Sequence, residues 1–236
     1  LCVWITSYPA ANLMQKVGRQ KGFMLGAFIG LLGALISFYA ILERDIITLT
    51  LGTTFLGSAQ GFAQLYRFAA TDIGSEAFKP KAISRVLIGG IAAALIGGPM
   101  ITSSKMAFEG VLFAGSFLVL ALAAIIVFLL MLLIKLPKPT EAELASSNRT
   151  RREIFSEPKL IVGIICGMIA YSLMSLVMTA SPLAMHACNH GVDDSTTVIQ
   201  WHVLGMFAPS LFTGALITRF GVHKVMICGF LCLLFS

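Results

Sequence analysis

Long uncharged stretches alternate with short charged connectors along this chain. Six of the stretches reach the length that a helix needs to cross a bilayer, roughly 20 residues. They are residues 22–42, 46–66, 86–104, 110–134, 160–192 and 195–218. Two shorter apolar stretches, 1–15 and 225–236, stop where the sequence stops. The pattern predicts six complete membrane helices and parts of two others, as in an internal piece of a larger helical membrane protein.

The composition agrees with this pattern. The chain is 57% hydrophobic and only 12% charged, whereas a soluble domain carries about 25% charged residues. An ordinary soluble enzyme or binding domain is therefore excluded. The predicted fold class is an all-α membrane protein, a polytopic helical bundle.

The distribution of basic residues explains the net charge of +6. If the connector at Lys16 lies in the cytoplasm and the helices alternate from there, every Lys and Arg except Arg44 and Lys105 falls on the cytoplasmic side. An excess of Lys and Arg in short cytoplasmic loops is the main determinant of helical membrane topology. The charge therefore predicts a multi-pass protein surrounded by lipid, with its basic connectors in the cytoplasm, and it calls for no nucleic acid partner.

Two of the basic connectors resemble each other, KVGRQKGF at 16–23 and RFGVHKVM at 219–226. Similar loops so far apart indicate an internal repeat, and internal repeats are common in transporters. Between them lies the one clear composition break, the polar segment 135–159. The chain is therefore predicted to contain an N-terminal bundle at 1–134, a cytoplasmic linker at 135–159 and the start of a second bundle at 160–236, with both repeated connectors cytoplasmic.

Polar side chains within the apolar stretches are candidate functional residues, because such groups usually face a bundle interior or a water-filled path. Gln60, Gln64 and Arg67 share one helix face. They either line a cavity, or Arg67 extends to the interface while the two Gln residues bridge helices. Histidine is a side chain that can carry a proton, and His202 either serves a substrate or a proton, or is only hydrogen-bonded near the exterior. The remaining candidates are Tyr171, Ser175 and Gln200.

A second group of residues suggests conformational gating. Gly98 and Pro99 weaken the backbone hydrogen bonding of their helix, which permits a hinge or close packing. Asp72 or Glu76 could pair with Arg19 or Lys21 across the cytoplasmic face. Such a pair is either a latch or a surface ion pair that contributes about 0–1 kcal/mol.

The predicted exterior loop at 185–194 holds side chains of the types that bind metals. They are His186, Cys188, His190, Asp193 and Asp194. Their spacing matches no known metal site, so a hydrated loop is favoured and neither a metal nor a cofactor is expected. The five cysteines imply no disulfide framework.

Several motifs stand in the order found in one transporter family. The family pattern G-x-x-x-D-R-x-G-R-K compares with residues 11–20 and again with residues 214–223, where Gln15 and Thr218 replace its Asp. The pattern R-x-x-Q-G compares with residues 57–61, where Gly57 replaces its Arg. The antiporter pattern G-P-x-x-G-G survives as Gly98 and Pro99. In this order the motifs resemble the major facilitator superfamily, from the second to the ninth of twelve helices.

The resemblance implies a monomeric, bacterial secondary transporter and not an enzyme. Two pseudo-symmetric six-helix halves, both truncated here, would move a small-molecule substrate by alternating access, with proton coupling and with export favoured over import. The cavity or coupling residues would be Gln60, Gln64, Arg67, Tyr171, Ser175, Gln200 and His202. The gating residues would be Gly18, Arg19, Asp72, Glu76, Gly98, Pro99, Arg219 and Gly221.

Two alternatives stay open at this stage. A membrane-embedded enzyme would use His186, His190 and His202 as metal or acid-base groups, but the apolar stretches hold almost no other ionisable side chains. A transporter-like sensor would bind a ligand without moving it. The apolar stretches contain no Asp or Glu, so a coupling carboxylate would have to lie in other helices unless His202 replaces it.

Overall fold

The computed structural model describes residues 2–70, 79–134, 136 and 156–234, and within these residues it contains helices and no strand. The helices are α1 (Cys2–Val17), α2 (Arg19–Glu43), α3 (Ile46–Ala63), α4 (Tyr66–Ala69), α5 (Lys79–Ser104), α6 (Ala114–Leu133), α7 (Pro158–Ala187), α8 (Val192–Phe207), α9 (Ser210–Phe220) and α10 (Val222–Leu234). The predicted all-α class is thereby confirmed. The predicted gating residues Asp72 and Glu76, and most of the predicted linker, lie outside the described residues.

Within the residues that the structure describes, five helical segments are long and apolar enough to cross a membrane: Arg19–Glu43, Arg85–Ser104, Ala114–Leu133, Leu160–Ala187 and Val192–Phe220. The sixth predicted span, 46–66, is not among them. Its helix α3 has only 18 residues and is rich in Thr. The hydroxyls of Thr50, Thr54 and Ser58 donate to the carbonyl four residues earlier, at 2.8, 2.7 and 3.0 Å, so they need no partner outside the helix.

Two predicted helices are each broken into two pieces. The stretch at 46–70 divides into α3 and α4 at Gln64 and Leu65. The stretch at 196–217 divides into α8 and α9 at Ala208 and Pro209, because proline has no N–H to donate to the preceding turn. Among the other helices, α2 and α5 begin before the predicted 22–42 and 86–104, whereas α6 is shorter than the predicted 110–134.

The described residues belong to two compact units, which are treated separately here. One contains Leu1–Pro137 and Gln200–Ser236, and the other contains Lys138–Ile199. In the first unit α2 packs against α3 and α6, α1 packs against α3, and α9 packs against α5. The second unit contains α7 and the first two turns of α8.

A stripe of small residues brings α2 and α3 into backbone contact. A Cβ atom on Gly33 would lie 2.8 Å from the backbone nitrogen of Leu56 and 2.9 Å from the carbonyl oxygen of Gly52. A Cβ on Gly26 would lie 2.6 Å from the Cβ of Phe62. Since small residues allow membrane helices to approach closely, these contacts show that the glycines of α2 serve helix packing.

The turn between α2 and α3 is fixed at both ends. Arg44 has a left-handed backbone, and the N–H of Asp45 donates to the carbonyl of Ala40 at 2.9 Å, which closes α2. The Asp45 carboxylate then caps α3 by accepting hydrogen bonds from Ile47 N and from the hydroxyl of Thr48, at 3.0 and 2.5 Å. The Thr48 hydroxyl, followed by the Ile47 amide, holds the pKa of Asp45 below its usual range.

Candidate functional site

The two repeated connectors have the same backbone geometry. Gly18, between α1 and α2, has φ 93° and ψ 152°, and Gly221, between α9 and α10, has φ 84° and ψ 155°. The N–H of Gly18 donates to Met14 O at 3.0 Å, and that of Gly221 to Ile217 O at 2.9 Å. Each connector is therefore a single glycine that breaks one helix and starts the next, which extends the sequence repeat to the level of the backbone.

An apolar cluster holds the first connector in place. Met14 and Phe23, on either side of Gly18, are 3% and 1% exposed and pack with Phe62 and Ala69. The ring of Phe23 also stacks on Tyr66, with ring centroids 4.3 Å apart. The connector is thus anchored to the end of α3 and to α4, where the Gln60, Gln64 and Arg67 stripe also ends.

Gln20 adds a contact to this connector that sequence reasoning missed. Its side-chain nitrogen donates to the carbonyl of Met131 at 2.8 Å. Met131 lies in the last turn of α6, where carbonyls have no partner within the helix. The contact links the start of α2 to the end of α6, which no local pattern in the sequence could indicate. Gln20 stands where the family pattern has a basic residue.

Hydrogen bonds join two residues of the predicted stripe formed by Gln60, Gln64 and Arg67. The guanidinium of Arg67 donates from Nη2 to the side-chain oxygen of Gln64 and, at 3.2 Å, from Nε to the backbone carbonyl of Gln64. It also lies 5.7 Å from the centre of the Phe68 ring. Arg67 therefore stabilises the break between α3 and α4, where it caps a free carbonyl. Gln60, one turn earlier, is exposed.

The structure brings two other predicted residues together, Gln200 of α8 and Gly98 of α5. A Cβ atom on Gly98 would collide with the carboxamide oxygen of Gln200 and would lie 3.0 Å from its Cδ. Two turns deeper, a Cβ on Gly90 would lie 2.6 Å from the ring of Phe207. The later glycine of α5, Gly98, meets the earlier residue of α8, Gln200, and the earlier glycine, Gly90, meets the later residue, Phe207. The two helices therefore run antiparallel and meet at glycines of α5.

His202 lies one turn before the α8–α9 break, and one of its ring nitrogens lacks a partner. Nε2 is buried and makes no hydrogen bond with any residue that the structure describes. A buried polar atom without a partner costs about 1–3 kcal/mol, so such an atom in a membrane helix calls for a functional explanation. The next turn contains Gly205, and a Cβ atom there would have no neighbour within 4 Å.

Tyr171 and Ser175 occupy successive turns of α7, in the second unit. Both are exposed, Tyr171 by 39%. Their hydroxyls stay candidates for substrate contact.

The connectors also contain the predicted gating residues Arg19 and Arg219. Arg19 follows Gly18, and Arg219 precedes Gly221 by two residues. The guanidinium of Arg219 lies 5.4 Å from the centre of the Phe220 ring.

The loop after α7 is a tight helix-ending turn. Asn189 has φ 62°, and the N–H of His190 donates to Met185 O at 2.9 Å. The Asp194 carboxylate accepts from the N–H of Gly191 at 3.1 Å and lies 4.0 Å from His190 Nδ1. Across the described residues, no three His, Cys, Asp or Glu side chains are grouped so that they could hold a metal ion.

Three comparisons with known proteins bear on this architecture. A riboflavin transporter of Brucella anthropi, RfnT, is 38% identical over 97% of this chain, which covers 58% of that relative. Two MFS-type transporters of Bacillus subtilis, YddS and YdeG, are 26% and 25% identical over 88% and 89% of the chain. The chain spans about half the length of these relatives, from 51% to 58%. No solved structure matches it.

The family comparison covers the whole sequence. Residues 1–236 match the Major Facilitator Superfamily, in agreement with the all-α fold and the repeated connectors. The family and its transporter relatives show an integral multi-pass membrane protein of a secondary transporter family, for which an enzymatic role is not indicated. This chain belongs to the Major Facilitator Superfamily.

Proposed function

We propose that this chain forms part of a proton-coupled transporter for riboflavin or a similar uncharged heterocycle. The observation that carries the proposal is the 38% identity to a riboflavin transporter over 97% of the chain. The protein would work as a monomer in a bacterial cytoplasmic membrane. The connectors at Gly18 and Gly221 and the linker would face the cytoplasm.

The chemistry of the candidate residues supports an uncharged substrate. Gln60, Gln200, Tyr171 and Ser175 offer neutral donors and acceptors. The guanidinium of Arg67 donates to Gln64 at the end of α3, which holds it at the break between α3 and α4. Substrate binding would therefore rely on hydrogen bonds and apolar contact, as is usual for small-molecule sites.

Proton coupling would use His202. Its buried Nε2 has no partner among the described residues, and the apolar stretches contain no Asp or Glu. A neutral imidazole that takes up a proton can supply the missing charge change. Gly98 and Pro99 would allow α5 to bend during alternating access, and their partial antiporter motif favours export.

The decisive experiment is riboflavin counterflow in proteoliposomes that contain the intact transporter. Vesicles loaded with unlabelled riboflavin should accumulate labelled riboflavin. A sensor that only binds would exchange nothing, and an enzyme would change the compound chemically. Imposing a pH gradient of either sign then separates export from import.

His202 is tested in the same vesicles. His202→Gln keeps hydrogen bonding without titrating, whereas His202→Ala loses both. For a proton carrier, both variants should lose pH-driven transport by at least about tenfold, while counterflow persists in His202→Gln. Full pH-driven transport in His202→Gln would refute proton coupling through this residue and leave riboflavin transport standing.

A further inference from the structure

The carboxamide of Gln200 occupies a notch on α5. Gly98 contributes no side chain there, and a Cβ in its place would collide with the carboxamide oxygen. The next residue is Pro99, which cannot donate to the carbonyl of Leu95 as an ordinary residue would. The carboxamide therefore lies beside a stretch of backbone whose hydrogen bonding is incomplete.

No hydrogen bond joins the Gln200 carboxamide to another residue in the part of the chain that the structure describes. Polar side chains in membrane helices usually pair with each other or with backbone carbonyls. The carboxamide of Gln64, in contrast, accepts from Arg67. Gln200 therefore keeps one donor group and one acceptor group available inside the membrane.

The depth of this carboxamide suits a binding site. Gly98 lies seven residues before Lys105, about 10 Å along the helix at 1.5 Å per residue. Gln200 lies eight residues after Val192, about 12 Å along α8 by the same measure. The notch therefore lies about two turns from the Lys105 turn and about two turns from the start of α8.

On the basis of the proposed function, we propose that Gln200 recognises an imide or lactam edge of the transported heterocycle. A carboxamide presents an N–H donor and a C=O acceptor side by side. An imide presents the complementary pair in one plane, and Asn or Gln makes the same kind of two-point contact with the edge of adenine. Riboflavin has such an edge in its pyrimidinedione ring, where an N–H lies between two carbonyls.

The test compares riboflavin with N3-methylriboflavin, which lacks that N–H. Quenching of flavin fluorescence gives the Kd of each compound for the purified, intact transporter. The wild type should bind the methylated flavin about 5- to 150-fold more weakly, the range for one good two-point contact. Gln200→Leu should lose a similar factor for riboflavin and should bind both flavins equally.

Two further variants make the result specific. Trp201→Leu changes the adjacent side chain, which is 70% exposed, and should discriminate between the flavins as the wild type does. Gln200→Met keeps the length of Gln200 but removes both its N–H donor and its carbonyl acceptor, so it should also lose discrimination. This variant carries the test if Gln200→Leu does not fold.

The outcomes separate this inference from the proposed function. If the Gln200 variants still bind riboflavin more tightly than its methylated analogue, Gln200 does not recognise that edge, although riboflavin remains the substrate. If the wild type binds riboflavin without discriminating, the inference is likewise overturned. If the wild type binds neither flavin and shows no counterflow, the proposed substrate is refuted and this inference is refuted with it.

Discussion

Replacing Gly18 with alanine tests whether the repeated connector depends on glycine. At φ 93° and ψ 152° the backbone lies in a region that only glycine adopts readily, and a residue with a Cβ is strained there by about 1–3 kcal/mol. A Cβ at Gly18 would have no neighbour within 4 Å. Any loss of stability in Gly18→Ala must therefore come from the backbone conformation and not from crowding.

The expected loss is about 1–3 kcal/mol in the free energy of unfolding. For a chain of 150–250 residues, about 1 kcal/mol lowers Tm by roughly 2–4 °C, so Gly18→Ala should melt about 2–12 °C below the wild type. Gly221→Ala should melt within the same range, because its backbone geometry is the same. The measurement is the fraction of monodisperse protein that survives heating, followed by size-exclusion chromatography in detergent.

Gly89→Ala is the matched control. Gly89 lies inside α5, and a Cβ there also would have no neighbour within 4 Å. Alanine is favoured over glycine within a helix by about 0.5–1 kcal/mol, so this variant should melt at or above the wild-type temperature. The reasoning is refuted if Gly18→Ala melts with the wild type, or if Gly89→Ala is destabilised just as much.

Three further substitutions test other parts of the structure. Gly52→Ala should lose more stability than Gly18→Ala, because its Cβ would lie 2.7 Å from the backbone nitrogen of Ser37; recovery of well-folded protein by size exclusion would contradict this. Asp45→Asn should lower Tm more at pH 7 than at pH 3. The folded-state pKa of Asp45 is lowered, so its stabilising charge is present above the unfolded pKa and is lost as the pH falls through the folded pKa; an equal difference at both pH values would be inconsistent. Gly90→Ala should slow transport by crowding Phe207, whose ring would be 2.6 Å from the new Cβ, and adding Phe207→Ala should restore it; an additive defect in vesicle assays would argue against that contact.

The positions of most helices could be predicted from the sequence, because charged residues are excluded from the membrane interior and so mark the ends of each span. The glycines of α2 are likewise readable as a packing face, since small residues at that spacing let membrane helices approach closely. The breaks at Gln64 and at Pro209 were missed. Hydropathy indicates which residues lie in the membrane, but it rarely detects a helix break within an apolar stretch.

The candidate site was less predictable, because its contacts join residues that are distant in sequence. Gln60, Gln64 and Arg67 were predicted to share one face, but that pattern alone does not show that Arg67 donates to Gln64. The contact of Gln20 with Met131 depends on where α6 ends. The contact of Gln200 with Gly98 depends on how α8 approaches α5. Such contacts follow from packing angles, which helix periodicity does not determine.

The contacts between α5 and α8 join the two predicted bundles, and their form would suit the opening and closing of the proposed transporter. Each is made by a glycine on one side and a single side chain on the other, Gly98 with Gln200 and Gly90 with Phe207. By comparison, α2 and α3 meet backbone to backbone at Gly33 and Gly52. Separating α2 from α3 would open a continuous interface, since packed cores do not deform gradually. Separating α5 from α8 at these two contacts needs only side-chain rotation and a bend near Pro99. Motion should therefore occur at α5 and α8, while α2 and α3 move as one body.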